Sequence, residues 1–339
     1  MRRFALPLLP ALLAFSAPAM AQDVEAWTPT DTALRANAAG IALPQTIAGL
    51  SLSKSGELSN GGKGVDNYAQ YLSEDGAIQA TLYVYMPSYA DAALAAYMTD
   101  KAVMERFGTK TRRTAYAGAA AGGRQGTAIR AVYDDAADGA LTTGAAFVHA
   151  GRWMVKLRVT GPSERRKEVL AGLDSMLAAL RFDDPQSLHA AAPAEFAPCP
   201  VTDGADARLT SAAPVTETAT LSVPHGGAGR LCVRGAVETA EGHYDMLQQA
   251  GVQGGAILVP VDDAGTLLAV DPAGKGGYRL SIHSVGQTDL YGLYDKIPSA
   301  RQIAAILEGK DPQTAQAGAI ADHAANGTVT LRTASAKAR

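Results

Sequence analysis

Positive charges alternate with apolar residues along the segment 152–159, "RWMVKLRV". Successive side chains of a β-strand point to opposite faces, so Arg152, Lys156 and Arg158 are predicted to share one face of a sheet. Arginine and tyrosine side chains are frequent anchors for acidic groups and for partner proteins. The segment therefore predicts a binding surface for an anionic or carbohydrate-like ligand, or for a protein partner with an acidic patch. The residues expected to extend this surface are Arg130, Tyr83 and Tyr85.

A solvated sheet face is the alternative interpretation of the same pattern. An antiparallel sheet commonly packs one face on the core and turns the other face to water. Basic residues on the wet face also discourage edge-to-edge aggregation of sheets. Both interpretations require the row of cations to be exposed.

A second set of residues could do metal chemistry. The sequence "GHYD" places His243 two residues before Asp245, and His283 lies further along the same half of the chain. Imidazole and carboxylate groups bind zinc and other divalent ions. These three residues define the alternative of a metal-assisted hydrolase. Because the chain has neither an HExxH pair nor a CxxC repeat, and surface histidines explain the pattern equally well, no metal or other cofactor is predicted.

Three further motifs predict no catalytic residue. The stretch "GLSLSKSG" (49–56) lacks the closing glycine of a nucleophile elbow. The glycine loop "AGKGG" (273–277) is predicted to join two strands, whereas a phosphate-binding P-loop leads from a strand into a helix. Adjacent carboxylates such as Asp262 and Asp263 are typical of turns. The sequence thus favours a protein that is not an enzyme.

The first 21 residues have the features of a secretory signal peptide. Arg2 and Arg3 precede an apolar stretch, and Ala19-Met20-Ala21 is the small-x-small pattern at which such peptides are cut. The apolar stretch is too short to span a bilayer. We therefore expect a periplasmic or secreted protein that does not span the membrane.

The cysteines and the charge agree with this expectation. Two cysteines in an exported protein, Cys199 and Cys232, favour a disulfide bond. Residues 183–339 hold 11 Lys and Arg against 17 Asp and Glu. Nucleic-acid binding needs clustered basic residues, so nucleic acid is excluded as a partner.

The elements that must position the candidate residues follow from periodicity. Residues 77–85, "AIQATLYVY", and the segment 152–159 are predicted strands. A helix is predicted after an N-cap at Ser88, and a second helix, "SERRKEVLAGLDSMLAAL" (163–180), carries an apolar stripe. One antiparallel sheet, with its apolar face under both helices and its cationic face in water, satisfies every pattern.

The Ala/Pro-rich stretch "FDDPQSLHAAAPAEFAPCP" marks a boundary between two regions of α+β type. The predicted divisions are a signal peptide at 1–21, a flexible segment at 22–44, an α+β domain at 45–182, a linker at 183–198, a smaller disulfide-tied α+β domain at 199–333 and a frayed tail at 334–339.

The element order of residues 45–182 resembles the Mog1/PsbP-like fold. The resemblance rests on "RWMVKLRV" and on the closing amphipathic helix "LAGLDSMLAALRF" (170–182). The family includes bacterial envelope proteins, a photosystem accessory subunit and a Ran-binding protein, and its helices can cover both faces of the sheet. The resemblance implies a binding or assembly module rather than an enzyme. Residues 199–333 resemble no family.

Overall fold

Strands dominate the structure, a computed structural model that describes residues 26–59, 63–200, 204–212, 231–252, 254–273, 276–314 and 316–333. The predicted signal peptide and tail lie outside these residues. In chain order the elements are β1 (Trp27–Pro29), β2 (Ala33–Ala36), β3 (Ile41–Pro44), β4 (Thr46–Ile47), β5 (Leu50–Glu57), β6 (Asp66–Ser73), β7 (Gln79–Tyr85), α1 (Ala92–Phe107), β8 (Arg112–Ala121), β9 (Arg124–Ala136), β10 (Leu141–Ala150), β11 (Trp153–Pro162), α2 (Arg166–Ala179), β12 (Arg181–Phe182), β13 (Leu209–Ala212), β14 (Leu231–Glu238), β15 (His243–Gln249), β16 (Ile257–Pro260), β17 (Leu267–Ala273), β18 (Gly277–Ser284), β19 (Gln287–Tyr294), α3 (Ala300–Leu307), β20 (Ala319–His323) and β21 (Val329–Thr333).

Three antiparallel sheets contain these strands. A four-stranded sheet has the order β1-β2-β3-β12, and an eight-stranded sheet has the order β4-β5-β6-β7-β11-β10-β9-β8. A nine-stranded sheet runs from β14 to β21 in chain order, with β13 beside β19. The prediction of an antiparallel, sheet-dominated α+β protein is confirmed.

The two faces of the eight-stranded sheet carry different helices. Phe147, Lys156 and Tyr83 lie opposite one another on adjacent strands and therefore share one face. Helix α1 packs on this face, and α2 packs on the other, against Val155 and Leu157. The prediction that both helices cover one face is wrong. The cationic face also carries apolar side chains, such as Phe147, that need cover.

Helix α1 lies between two sheets. Its first half is apolar and buried on most sides, whereas Lys101, Glu105 and Arg106 near its end are exposed. One side contacts β9 and β10, and the other shares a core with Leu247, Leu258 and Leu267 of the nine-stranded sheet. Small side chains make this double contact close. The buried residues of α1 are Ala92, Ala93, Leu94, Ala95, Ala96, Met98, Thr99 and Val103.

Asp91, and not Ser88 as predicted, caps helix α1, because the Asp91 carboxylate accepts a hydrogen bond from the backbone N–H of Leu94. Ser88 instead contacts the nine-stranded sheet. Its hydroxyl lies 3.1 Å from Nδ1 of His283 and donates to the carbonyl of Gln287. Ser88, which was predicted to cap a helix, therefore joins the two halves of the molecule, residues 26–182 and residues 204–333.

Residues 27–44 form strands β1 to β3, so the prediction of a flexible segment at 22–44 is wrong for them. Trp27, Leu34 and Ile41 are buried in the core that lies under α2. An ion pair between Arg35 and Asp183 joins this sheet to the chain after β12. Strands of three or four residues give too little alternation to be recognised in a sequence.

The predicted linker at 183–198 is packed rather than free. Leu188, Ala191 and Ala194 are buried, and the backbone N–H of Ala191 donates to the carbonyl of Gly126. The segment ends at Cys199, whose predicted disulfide with Cys232 is present. Because it is anchored to the eight-stranded sheet at Ala191 and to β14 at its end, where Cys199 pairs with Val233, this segment cannot act as a spacer between independent bodies.

The nine-stranded sheet is covered on its second face by α3. Ile303 and Ile306 of this helix pack against Leu268 and Leu280. Ser299 caps α3, accepting from the backbone N–H of Gln302. No helix in the described ranges is long and apolar enough to cross a membrane.

Candidate functional site

Arg152, Lys156 and Arg158 do not form one exposed row. The prediction of a docking surface made of these three cations is therefore wrong. Lys156 is only 6% exposed. Its ammonium group donates to the carboxylate of Asp263, 2.5 Å away in the turn between β16 and β17. Burial lowers the pKa of Lys156, while Asp263 acts in the opposite direction. Lys156 therefore joins the two halves of the molecule, and its charge is paired within the protein.

Two other residues of the predicted surface are placed elsewhere, and a third, Tyr85, lines the first cavity of the α1 face but is almost fully buried. Arg130 faces α2 on the opposite side of the sheet and pairs with Asp174 at 2.6 Å. Arg152 lies in the turn before β11, with its guanidinium against Gly327. Tyr85 is 4% exposed and lies under the turn that contains Gly265. The alternation of side chains along β11 shows which of its own residues share a face. It could not show which side chains of the neighbouring strands lie on that same face.

Arg158 and Tyr83 remain in a groove on the α1 face, where they meet two residues that the sequence did not single out. Arg106 and Phe107 form the last turn of α1. The guanidinium carbon of Arg158 lies 5.5 Å from the centre of the Phe107 ring, and that of Arg106 lies 5.7 Å from it. Phe107 thus holds two cations near the same place.

Two adjoining cavities make up the groove, and Tyr83, Arg106 and Arg158 line both. The first cavity, of about 260 Å³, reaches the turn at Asp263 and Ala264. The second, of about 340 Å³, opens along the other end of β7 and β11. Its polar wall is formed by Gln79, Thr81 and Thr160.

The electrostatics of the groove differ between its two ends. At the arginine end, burial lowers the pKa of Arg158, and the charge of Arg106 lowers it further. At the other end, burial raises the pKa of Asp66, with added effects of Glu57 and Asp262. The groove therefore offers cations at its centre and a carboxyl group with a raised pKa at one extremity.

The residues of the metal alternative do not come together. His283 is buried, with Nδ1 beside the hydroxyl of Ser88 and Nε2 2.9 Å from that of Ser281. Asp245 lies three strands away in the same sheet, about 14 Å at the usual strand spacing. His243 is exposed and pairs with Glu238. In the part of the chain that the structure describes, no group of three His, Cys, Asp or Glu side chains could hold a metal ion.

Asp245 serves as a contact for α1 instead. Its carboxylate accepts from the hydroxyl of Tyr97 and pairs with Lys101. A small cavity of about 90 Å³ lies beside these groups. The "GHYD" motif thus belongs to the contact between the nine-stranded sheet and α1. The types of its residues alone could not predict this contact.

The sequence did contain one signal for Arg106 and Phe107. A basic residue and an aromatic residue precede Gly108, which ends the helix with a positive φ of 87°. Basic residues are common in the last turn of helices because they complement the helix dipole, so the signal is general. Placing this turn over β7 and β11 requires the tertiary fold.

The chain is thus a sheet-dominated α+β protein with a groove between a helix end and a sheet. It matches no protein-family model and no curated protein. Solved structures similar to it include the Saccharomyces cerevisiae Ran-binding protein Mog1p, at 10% identity and a TM-score of 0.32, and a mutant of protein Mog1, at 11% identity and a TM-score of 0.33. Each match covers 48% of this chain and 100% of the Mog1 chain.

Proposed function

We propose that this chain is a non-enzymatic binding protein of the cell envelope, and that its ligand enters the groove between the end of α1 and strands β7 and β11. The observation that carries the proposal is the groove itself. Its cavities fall in or near the size range of small-molecule sites, and its walls combine aromatic rings with a few polar groups. Ligand sites of this kind are common where two parts of a protein meet.

Both halves of the molecule build this groove. Tyr83 and Arg158 come from the eight-stranded sheet, Arg106 comes from α1, and Asp263 and Ala264 come from the turn before β17. The Lys156–Asp263 ion pair fixes that turn against β11. A preformed wall lowers the entropic cost of binding, so the arrangement supports a binding role.

We also propose that the protein works in the periplasm or outside the cell. The predicted signal peptide and the disulfide between Cys199 and Cys232 support this location, because disulfides persist in oxidising compartments. Cell fractionation and mass spectrometry of the purified protein test it. We expect a mature chain that starts at Gln22, and an intact chain retained in the cytoplasm would refute the proposal.

A retention experiment tests the binding role without assuming the charge of the ligand. The protein is incubated with the small-molecule extract of its native envelope, freed of unbound compounds by gel filtration, and denatured. Mass spectrometry then identifies what is released. We expect the wild type to retain a compound that Gln79→Trp loses, because an indole at this exposed wall position fills the second cavity.

Gln186→Trp is the matched control for this experiment. It introduces the same side chain at an exposed position outside both cavities. We expect Gln186→Trp to retain the compound as the wild type does. If the wild type retains nothing, or if Gln79→Trp retains as much as Gln186→Trp, the groove is not a ligand site.

A further inference from the structure

The two arginines of the groove differ from most arginines in the same half of the molecule. Neither Arg106 nor Arg158 has an ion-pair partner among the residues that the structure describes, although both contact Phe107. The arginines of this half that do pair with carboxylates are Arg35, Arg112, Arg113, Arg130, Arg165 and Arg166.

Because Arg158 is half-buried, the lack of a carboxylate partner for its guanidinium costs free energy. The side chain is half-buried, so its guanidinium has lost part of its hydration. A buried charge is normally balanced by a counter-charge or by hydrogen bonds. Arg106 adds repulsion, since two like charges face the same ring. A pair of cations held in this way is stabilised by an anion that enters between the groove walls.

The nearby acidic groups do not supply that anion. Asp263 is engaged by Lys156, which lies two residues before Arg158 on the same strand and face. Asp66 lines only the first cavity, at the end away from Gln79, Thr81 and Thr160. The charge of Lys156 is thus balanced within the protein, and the charges of Arg106 and Arg158 are left for a ligand.

We propose that the groove binds a small organic acid, whose carboxylate, sulfate or phosphate group contacts the guanidinium groups of Arg106 and Arg158. Guanidinium forks match the planar and tetrahedral shapes of these oxyanions and donate several hydrogen bonds to them. The neutral body of the ligand lies along Tyr83 and the polar wall of Thr81 and Thr160. This inference rests on the proposed binding function and names the chemical class of its ligand.

The volume of the groove favours a small molecule over a macromolecular partner. Each cavity holds a few hundred Å³, which accommodates a sugar acid or a small phosphate ester. The Phe107 ring contacts two guanidinium groups, and the Tyr83 ring lies 5.6 Å from Nζ of Lys156, so both rings already face cations. A sugar acid suits both the volume of the cavities and their cationic and polar walls, since it joins a carboxylate to a hydroxylated body.

The test is an NMR titration of the mature protein, followed at the side-chain Nε–H signals of arginine. The probes are glucuronate, glucose as its neutral counterpart, inorganic phosphate, and vesicles of phosphatidylglycerol or phosphatidylcholine. We expect glucuronate to shift the signals of Arg106 and Arg158 and glucose to leave them unchanged. Added salt weakens binding, because the contacts are electrostatic.

Three variants locate the contact. Arg106→Gln and Arg158→Gln each weaken glucuronate binding by about 10- to 100-fold, the usual effect of a lost hydrogen bond to a charged group. Arg130→Gln makes the same change in charge on the opposite face of the sheet and leaves binding unchanged. Inorganic phosphate binding that follows the same order of variants supports the assignment of the oxyanion contact.

The outcomes separate this inference from the proposed function. If glucose binds as tightly as glucuronate and Gln79→Trp abolishes both, the groove is a ligand site and the acidic class is wrong. If no probe binds, or if Arg158→Gln binds glucuronate like the wild type, the inference is overturned. Binding of phosphatidylglycerol vesicles that Arg158→Gln abolishes supports the same oxyanion contact with a lipid as its source.

Discussion

Lys156 and Arg158 lie two residues apart on one strand and one face, yet their surroundings are opposite. Lys156 is sealed by the turn between β16 and β17 and paired with Asp263. Arg158 makes no ion pair with that turn and lies beside Phe107 and a second arginine. The same charge thus serves the contact between two halves of the molecule at one position and remains available at the next.

This difference shows that the role of a cation depends on what the rest of the chain places over it. The turn that carries Asp263 is more than 100 residues away in the sequence. The last turn of α1, which carries Arg106, ends where the nine-stranded sheet no longer covers the face. We therefore expect changes at the Lys156 ion pair to lower the free energy of unfolding, and changes at Arg158 to weaken ligand binding.

The largest effect is expected for Asp263→Ala. Removing one partner of a buried ion pair leaves an uncompensated charge, which costs about 3–5 kcal/mol, and the lower value applies because Asp263 is 35% exposed. Chemical denaturation at pH 7 measures the loss. Asp174→Ala is the control, because it breaks the more exposed pair with Arg130 and should cost about 1 kcal/mol or less. Equal losses in the two variants would show that Lys156 is not sealed.

The buried His283 should make the same contact between the two halves sensitive to acid. Burial, together with the charge of His323, lowers the pKa of His283 to about 4, below its ordinary value of 6.5. Stability from the neutral ring is therefore complete above about pH 6.5 and is lost as the pH falls through 4. The loss is on the order of 3 kcal/mol, since one pKa unit corresponds to about 1.4 kcal/mol.

His283→Gln isolates this contribution. We expect the difference in unfolding free energy between the wild type and the variant to shrink as the pH falls from 7 to 4, measured by urea denaturation at each pH. Carboxylates with lowered pKa values, such as Asp75, are common to both proteins and cancel in the difference. A difference that stays constant over this range would contradict a lowered pKa for His283.

The sequence predicted the fold better than the site, and particular residues show why. Alternation depends on neighbours in the chain, so the longer strands of the eight-stranded sheet, such as β7 and β11, could be recognised, and so could the cysteine pair. The cover over Lys156 depends on a distant turn. The sequence of α1 contains a further indication of the fold. Alanines on all sides of its first half are typical of a helix buried between two layers.

Gly265→Ala should have an intermediate effect, about 2 kcal/mol. Gly265 has a φ of 101°, and a Cβ there would lie 3.0 Å from Cβ of Pro87 in the opposite half. Such a backbone conformation costs a non-glycine residue about 1–3 kcal/mol. Gly76→Ala is the control, since Gly76 also has a positive φ but has nothing within 4 Å of its added Cβ. Thermal denaturation should show the smaller loss for Gly76→Ala, and equal losses would mean that the turn does not press on the first sheet.

The smallest effect on stability is expected for Arg158→Gln, and its sign differs from that of the other variants. Removing one of two facing cations relieves repulsion and partial dehydration, so the variant should be as stable as the wild type or more stable by about 0.5 kcal/mol. A ligand that binds the folded state raises its stability by an amount that grows with the ratio of ligand concentration to Kd. Glucuronate should therefore raise the melting temperature of the wild type more than that of Arg158→Gln at the same concentration. A large loss of stability in the variant without ligand would mean that Arg158 supports the fold as Lys156 does, and the distinction between the two cations would fail.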